Sequence, residues 1–242
     1  MVITKKAVDS EVCSIKVGQL LEKLNIPHTN ISLFILAFIH RSIVNERNDY
    51  APEHNERLEF LGDAILELVI TEQLYNDFPS TQEGELTDMR SALVRGRNLA
   101  EIAKNLNFQE YLILGKGEEK SGGRENDYIL ANTVESFLGA LYLDSGFELA
   151  RDFIKKHIYS TLGNLQKNKL FKDFKTLLQE YTQATVDITP HYEVLEDIGP
   201  DHDKTYTVGV YIGSKHIGIG KGSSKKKAQE AAAENAYQQF NI

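Results

Sequence analysis

Three acids fall within one short stretch of the chain: Glu56, Glu59 and Asp63. Their spacing of i, i+3 and i+7 puts all three on one face if the segment is helical. Helix is the expected state, because Leu58, Leu61, Ile65, Leu68 and Val69 recur at three- and four-residue steps. Three carboxylates in two turns repel one another, and Arg57 is the one cation among them. Hard oxygen donors of this kind suit Mg²⁺ or Mn²⁺. A solvated acidic face is the other reading, and these residues alone leave both open. Gly62 lies inside the same helix, where a glycine costs about 1 kcal/mol relative to alanine; close packing of another backbone is the expected reason for it. A further acid, Glu135, stands on an otherwise apolar stretch with Asn132 three residues before it. It fits either a buried partner for an Arg or Lys, or the other half of an oxygen-lined metal site.

These side chains need elements to carry them, and the totals bound what those can be. The chain has 242 residues, enough for one large domain or two small ones. A hydrophobic content of 41% and a charged content of 26% are those of an ordinary globular protein. Met1 to Leu20 mixes polar and apolar residues without an apolar core, so no secretory signal is expected. The longest apolar run, Ile31 to Ile39, is too short to cross a bilayer, so no membrane partner is expected. Cys13 is the single cysteine, which excludes a disulfide framework and a thiolate metal site and fits a cytoplasmic location. The net charge of −8 argues against a general basic field for nucleic acid, so any such contact must be a local patch.

In order along the chain, helices are expected at about Ser14–Leu24, at Ile31–Val44 and, carrying the three acids, at Asn55–Tyr75. Asn45 to Glu53 reads as a loop. Further helices follow at Leu86–Leu93, Asn98–Leu106, Tyr128–Leu143 and Phe147–Leu162. Leu114 to Arg124 reads as a glycine-rich loop. No strand pattern precedes residue 170, so residues 8–165 are expected to form an all-α domain. Residues 166–170, a polar run, read as a linker. From residue 171 to 242 the pattern changes to helix (Phe174–Thr185), three short alternating strands (His191–Glu196, Thr205–Tyr211, His216–Gly220) and an alanine-rich helix (Ser224–Phe240). That order, α-β-β-β-α, is a small α+β domain. Its last helix opens on Ser224, Lys225, Lys226 and Lys227. A helix N-terminus already carries positive partial charge, so lysines there favour an anion such as phosphate; a solvated basic cap is the alternative.

His54 to Leu66 resembles the signature motif of the ribonuclease III family nearly residue for residue. His40-Arg41-Ser42, Glu83-Gly84-Glu85, Leu93-Val94-Arg95, Lys120 to Arg124 and Ile129 to Asp144 agree with the same family. Lys175 to Glu180, Gly199 to His202 and Ser224 to Ala228 resemble its double-stranded RNA-binding domain. The resemblance implies an all-α endonuclease domain followed by that α+β domain, and an Mg²⁺-dependent enzyme (Mn²⁺ substituting) with no organic cofactor. It implies cleavage of double-stranded RNA by a homodimer, each subunit cutting one strand with a metal-activated water. The ends would carry 5′-phosphates, 3′-hydroxyls and two-nucleotide 3′ overhangs, and the expected substrates are ribosomal RNA precursors and structured messenger RNAs. By motif position, Glu59, Asp63, Asn132 and Glu135 fall on the metal site, with Glu56 and Glu83 as auxiliary acids near the scissile strand. Phe60 falls on the aromatic that packs into the partner subunit. Gln179, Glu180 and Gln183 fall on one minor-groove contact and His202 on the next, with Ser224, Lys225 and Lys226 on the phosphates between, which is shape readout of an A-form duplex.

One position departs from the family pattern, which usually has aspartate where this chain has Asn132. An amide oxygen can still face Mg²⁺, with one charge fewer in the site. The departure also frames the alternative: a catalytically weakened or inactive dimer that only binds double-stranded RNA.

Overall fold

The structure, a computed structural model, describes residues 10–46, 53–167, 174–199 and 204–240. The chain divides into two compact units, Met1–Asn168 and Lys169–Ile242. Among the described residues the first unit is helical: α1 (Ser10–Leu24), α2 (Ile31–Ala37), α3 (Arg41–Glu46), α4 (Glu56–Asp77), α5 (Glu83–Val94), α6 (Gly96–Asn105), α7 (Lys116–Lys120), α8 (Asp127–Ser145), α9 (Phe147–His157) and α10 (Leu162–Lys167). Helix α8 is its axis. Eleven of its residues, from Ile129 to Leu141, are buried, so it is apolar almost all round and takes neighbours on every side. Phe137 in its middle meets Phe34 of α2, Phe108 and Phe153 of α9 with ring centroids 4.9–5.5 Å apart.

Two glycines set how α4 lies on α8. A Cβ on Gly62 would stand 1.7 Å from the carbonyl oxygen of Glu135, and one on Gly139 would stand 2.2 Å from that of Leu58. Each glycine thus admits the other helix's backbone, and any side chain at either place would force the helices apart. The close-packing role expected of Gly62 is what is found, and it is reciprocal.

Three stretches differ from expectation. The helix expected over Phe147–Leu162 ends at His157, and a 3-10 turn, Tyr159–Thr161, separates it from α10. The other two differ because tertiary hydrogen bonds claim the backbone. The helix expected over Ile31–Val44 breaks after Ala37. There Phe38 turns the chain, Ile39 bridges Ile113, and the N–H of His40 donates to the Ile113 carbonyl at 3.1 Å. Helix α3 then restarts with the Ser42 N–H donating to Nδ1 of His40. The segment expected as a glycine-rich loop instead contains α7 and a 3-10 turn, Gly123–Glu125. The first N–H groups of α7 are satisfied from α3: Gly115 donates to Ser42 Oγ (2.8 Å), and Lys116 and Gly117 donate to the Glu46 carboxylate (2.8 and 2.9 Å). Helix α10 reaches Lys167, two residues into the segment expected as linker; residues 168–170 lie outside the described residues.

The second unit has α11 (Phe174–Val186), β1 (His191–Ile198), β2 (Thr205–Ile212), β3 (Lys215–Gly222) and α12 (Lys225–Gln239), the expected α-β-β-β-α order. The sheet is antiparallel with order β1-β2-β3, irregular at Val194/Glu196 and at Val210/Tyr211. Ala228, Ala232, Ala233 and Ala236 of α12 pack with Leu178 of α11 against Val208, Val210 and Ile217. Short side chains let α12 sit close on the sheet.

Candidate active site

The α4–α8 contact brings together the two acidic stretches that the sequence leaves apart. Glu59 and Asp63 lie on α4 one to two turns from its start, and Asn132 and Glu135 lie on the facing part of α8, where Gly62 meets the Glu135 backbone. The Asn132 amide lies near enough to the Glu59 carboxylate to favour its charged form. Burial, then the charges of Asp63 and Glu59, push the Glu135 carboxyl up to about 8. Burial, then Glu56, also raises Glu59; the Asn132 amide opposes that rise and Asp63 adds to it. Each upward shift has the cause expected of carboxylates crowded in a poorly hydrated place.

Among the described residues, no Lys, Arg or His of this chain forms an ion pair with Glu59, Asp63 or Glu135. The reading of Glu135 as a buried partner for an Arg or Lys is therefore not what the structure shows. The donor set is three carboxylates and one amide oxygen, hard ligands that fit a divalent cation such as Mg²⁺. Among the described residues no three His, Cys, Asp or Glu side chains already stand in an ion-holding arrangement. Uncompensated carboxylates repel one another, so a cation would have to draw this group together.

Glu56 stands at the edge of the group and is exposed. Arg41 Nη1 lies 3.0 Å from one of its oxygens and His54 Nδ1 lies 3.8 Å from the other. Arg41 and Glu56 lie fifteen residues apart without a shared period, so the sequence carries no signal for this pair. Glu83 lies at the start of α5, exposed and bonded to Thr87 on its own helix at 3.4 Å; it adds no charge to the shifts of Glu59 or Glu135. Phe60 is 81% exposed.

In the second unit, Gln179, Glu180 and Gln183 are exposed on α11 while Leu178 and Thr182 face inward. Gln183 bonds to Asp187. Ser224 caps α12, its side-chain oxygen accepting from the Lys227 N–H at 3.2 Å. That bond leaves the Ser224 hydroxyl hydrogen available. Lys225 and Lys226 are exposed on the first turn, with Lys225 Nζ 6.0 Å from the Tyr206 ring centroid. His202 lies outside the described residues.

A family model described as Ribonuclease-III-like matches residues 30–162, and one described as Double-stranded RNA binding motif matches residues 174–240. Ribonuclease 3 of Borreliella burgdorferi is 44% identical over 235 residues, 96% of each chain. The chain belongs to the ribonuclease III family. A further family member, Ribonuclease 3 of Desulforamulus reducens, is 44% identical over 221 residues, 91% of this chain and 90% of that one. The solved nuclease domain of ribonuclease III from Campylobacter jejuni is 36% identical, with a TM-score of 0.55; it covers 60% of this chain and 96% of that one, and it was described for structural flexibility in a region involved in dimer formation. Among the described residues, no helix is long and apolar enough to cross a membrane.

Proposed function

We infer that this ribonuclease III family chain is an endoribonuclease that cuts double-stranded RNA, and that Glu59, Asp63, Asn132 and Glu135 are its active site. The observation that carries this reading is the backbone-to-backbone approach of α4 and α8 at Gly62 and Gly139, which brings Glu59 and Asp63 to Asn132 and Glu135, where burial and the neighbouring carboxylates push the Glu135 carboxyl up to about 8. Mg²⁺, with Mn²⁺ substituting, would be held by those three carboxylates and the Asn132 oxygen, and it would supply an activated water and charge neutralisation for the scissile phosphate. The chain's own part is to hold the donors and to manage one proton. The Asn132 amide favours the charged form of Glu59, and its oxygen would remain as a donor to the ion. Glu135 holds a proton at neutral pH in the absence of a cation and releases it when positive charge arrives. Glu56 and Glu83 would stand nearer the scissile strand as auxiliary acids, Glu56 kept in place by Arg41.

The exposed stripe along α4 favours a homodimer. Phe60, Ala64, Leu68, Thr71 and Tyr75 lie on one side of that helix, and Phe60, Leu68 and Tyr75 are each more than half exposed. An apolar stripe of this length asks for cover. With one site per subunit, each cutting one strand, staggered cuts would leave 5′-phosphates, 3′-hydroxyls and two-nucleotide 3′ overhangs. Gln179, Glu180, Gln183, His202, Ser224, Lys225 and Lys226 would track two minor grooves and the phosphates between them. Ribosomal RNA precursors and structured messenger RNAs in the cytoplasm are the proposed substrates.

The test is to incubate the protein with a long RNA duplex and Mg²⁺ beside Glu135→Ala. Duplex-specific fragments lost in the variant are the expected result. Intact RNA that shifts on a gel would instead give the binding-only dimer, which relatives named as ribonucleases over nearly their whole length do not favour.

A further inference from the structure

Asparagine before the first turn of a helix ordinarily accepts, through its side-chain oxygen, an N–H of that turn. Asn55 stands directly before α4 and makes no such bond. Its side chain turns inward, in a residue only 3% exposed, and Nδ2 donates to the Ala37 carbonyl at 3.2 Å. Its backbone N–H donates to the Ile39 carbonyl at 2.9 Å. Both acceptors lie where α2 ends, so one residue satisfies two carbonyls there. The Asn55 carbonyl then accepts from the N–H groups of Leu58 and Glu59, each at 2.9 Å. It also lies 3.4 Å from the hydroxyl of Ser136, a fully buried residue of α8 whose other acceptor is the Asn132 carbonyl at 2.7 Å. Asn55 therefore touches the end of α2, the first turn of α4 through Glu59, and α8 through the hydroxyl that also holds Asn132.

We propose that Asn55 is a positioning residue of the active site: it gives up capping α4 in order to clamp that helix's first turn to α2 and α8, and so fixes where Glu59 and Asp63 stand opposite Asn132 and Glu135. The proposal rests on those four residues forming one metal site. It predicts that a residue able to cap α4, but unable to donate to Ala37, will not serve. Asn55→Asp is that residue, since aspartate is as good a cap and suits the helix dipole better. Helix stability alone would leave this variant unharmed, whereas the clamp would be lost.

The measurement is Mn²⁺ binding to the full-length protein without RNA, followed by the electron paramagnetic resonance of free Mn²⁺. Duplex binding in EDTA and the thermal midpoint are recorded alongside, with Asp63→Asn as the reference for a lost ligand. Partners that orient metal ligands typically contribute tenfold or more to affinity. Asn55→Asp is expected to weaken Mn²⁺ binding by about tenfold and to raise the Mg²⁺ needed for half-maximal cleavage by about the same factor, with duplex binding in EDTA unchanged. Wild-type Mn²⁺ binding in Asn55→Asp, beside its loss in Asp63→Asn, would overturn the clamp alone. Wild-type binding in Asp63→Asn would overturn the metal site and the clamp's role with it. If Asn55→Asp does not fold, Asn55→Ser, smaller and also a cap, replaces it with the same expectation; unfolding of both makes Asn55 merely structural and overturns the proposal.

Discussion

Glu135 is the residue on which the site's electrostatics turn. Its carboxyl, pushed up to about 8 by burial, Asp63 and Glu59, would titrate near 4.5 in the unfolded chain. Between those values the folded protein holds a proton that the unfolded chain has lost. Without metal, stability must therefore fall as pH rises from about 4.5 to about 8, by on the order of a few kcal/mol. Denaturant midpoints taken in EDTA across that range are expected to show the fall in the native protein and to lack it in Glu135→Gln. Asn132 acts in the other direction, since it removes one charge from the group and its amide steadies Glu59. Asn132→Asp is expected to lower the Mg²⁺ concentration for half-maximal cleavage; an unchanged or higher requirement would count against position 132 as a ligand. These residues were legible in the sequence as two acidic stretches on helical faces. Arg41 and Asn55 were not, because their partners lie fifteen or more residues away and share no periodicity with them.

At the scale of elements, the site is a property of one helix pair. Gly62 and Gly139 let α4 and α8 approach backbone to backbone, and the carboxylates follow from that approach. Gly62→Ala would put a methyl group on the Glu135 carbonyl, and backbone cannot step aside as a side chain can. Overpacking of this kind costs about 1–3 kcal/mol or more. The expected result is a thermal midpoint lowered by several degrees and a larger loss of cleavage, measured below that midpoint; an alanine variant with native stability and activity would contradict this packing. The sequence offered a helix that tolerates an interior glycine, and so the close approach, but not its partner. Periodicity also placed most helices and all three strands correctly within a few residues. It failed at Ile31–Val44 and at Leu114–Arg124, where Ile113, Ser42 and Glu46 supply hydrogen bonds from distant parts of the chain. Local pattern cannot anticipate a partner seventy residues away.

The whole molecule carries a net charge of −8, yet its second unit opens a helix on consecutive lysines. The proposed function separates two tasks into two units: the first would gather a cation, and the second, through its lysine patch, would meet phosphate. The change of pattern near residue 170 made that division readable in the sequence. The resemblance alone singles out Phe60 for a proposed subunit boundary, and its 81% exposure, in line with Leu68 and Tyr75, is compatible with that proposal. Phe60→Glu is expected to shift the protein toward monomer in sedimentation at micromolar concentration and to lower cleavage accordingly, while a dimer of undiminished strength would place the subunit contact elsewhere.

If acids from α4 and α8 share one cation, the proton on Glu135 must leave when that cation binds. A carboxyl titrating near 8 is about nine-tenths protonated at pH 7, and a cation must displace that proton. Titration calorimetry of Mg²⁺ into the metal-free protein at pH 7, in two buffers of different ionisation enthalpy, counts the protons released. Close to one proton per site is expected in the native protein and none in Glu135→Gln. Binding without proton release, or with the same release in Glu135→Gln, would rule out a cation shared through Glu135.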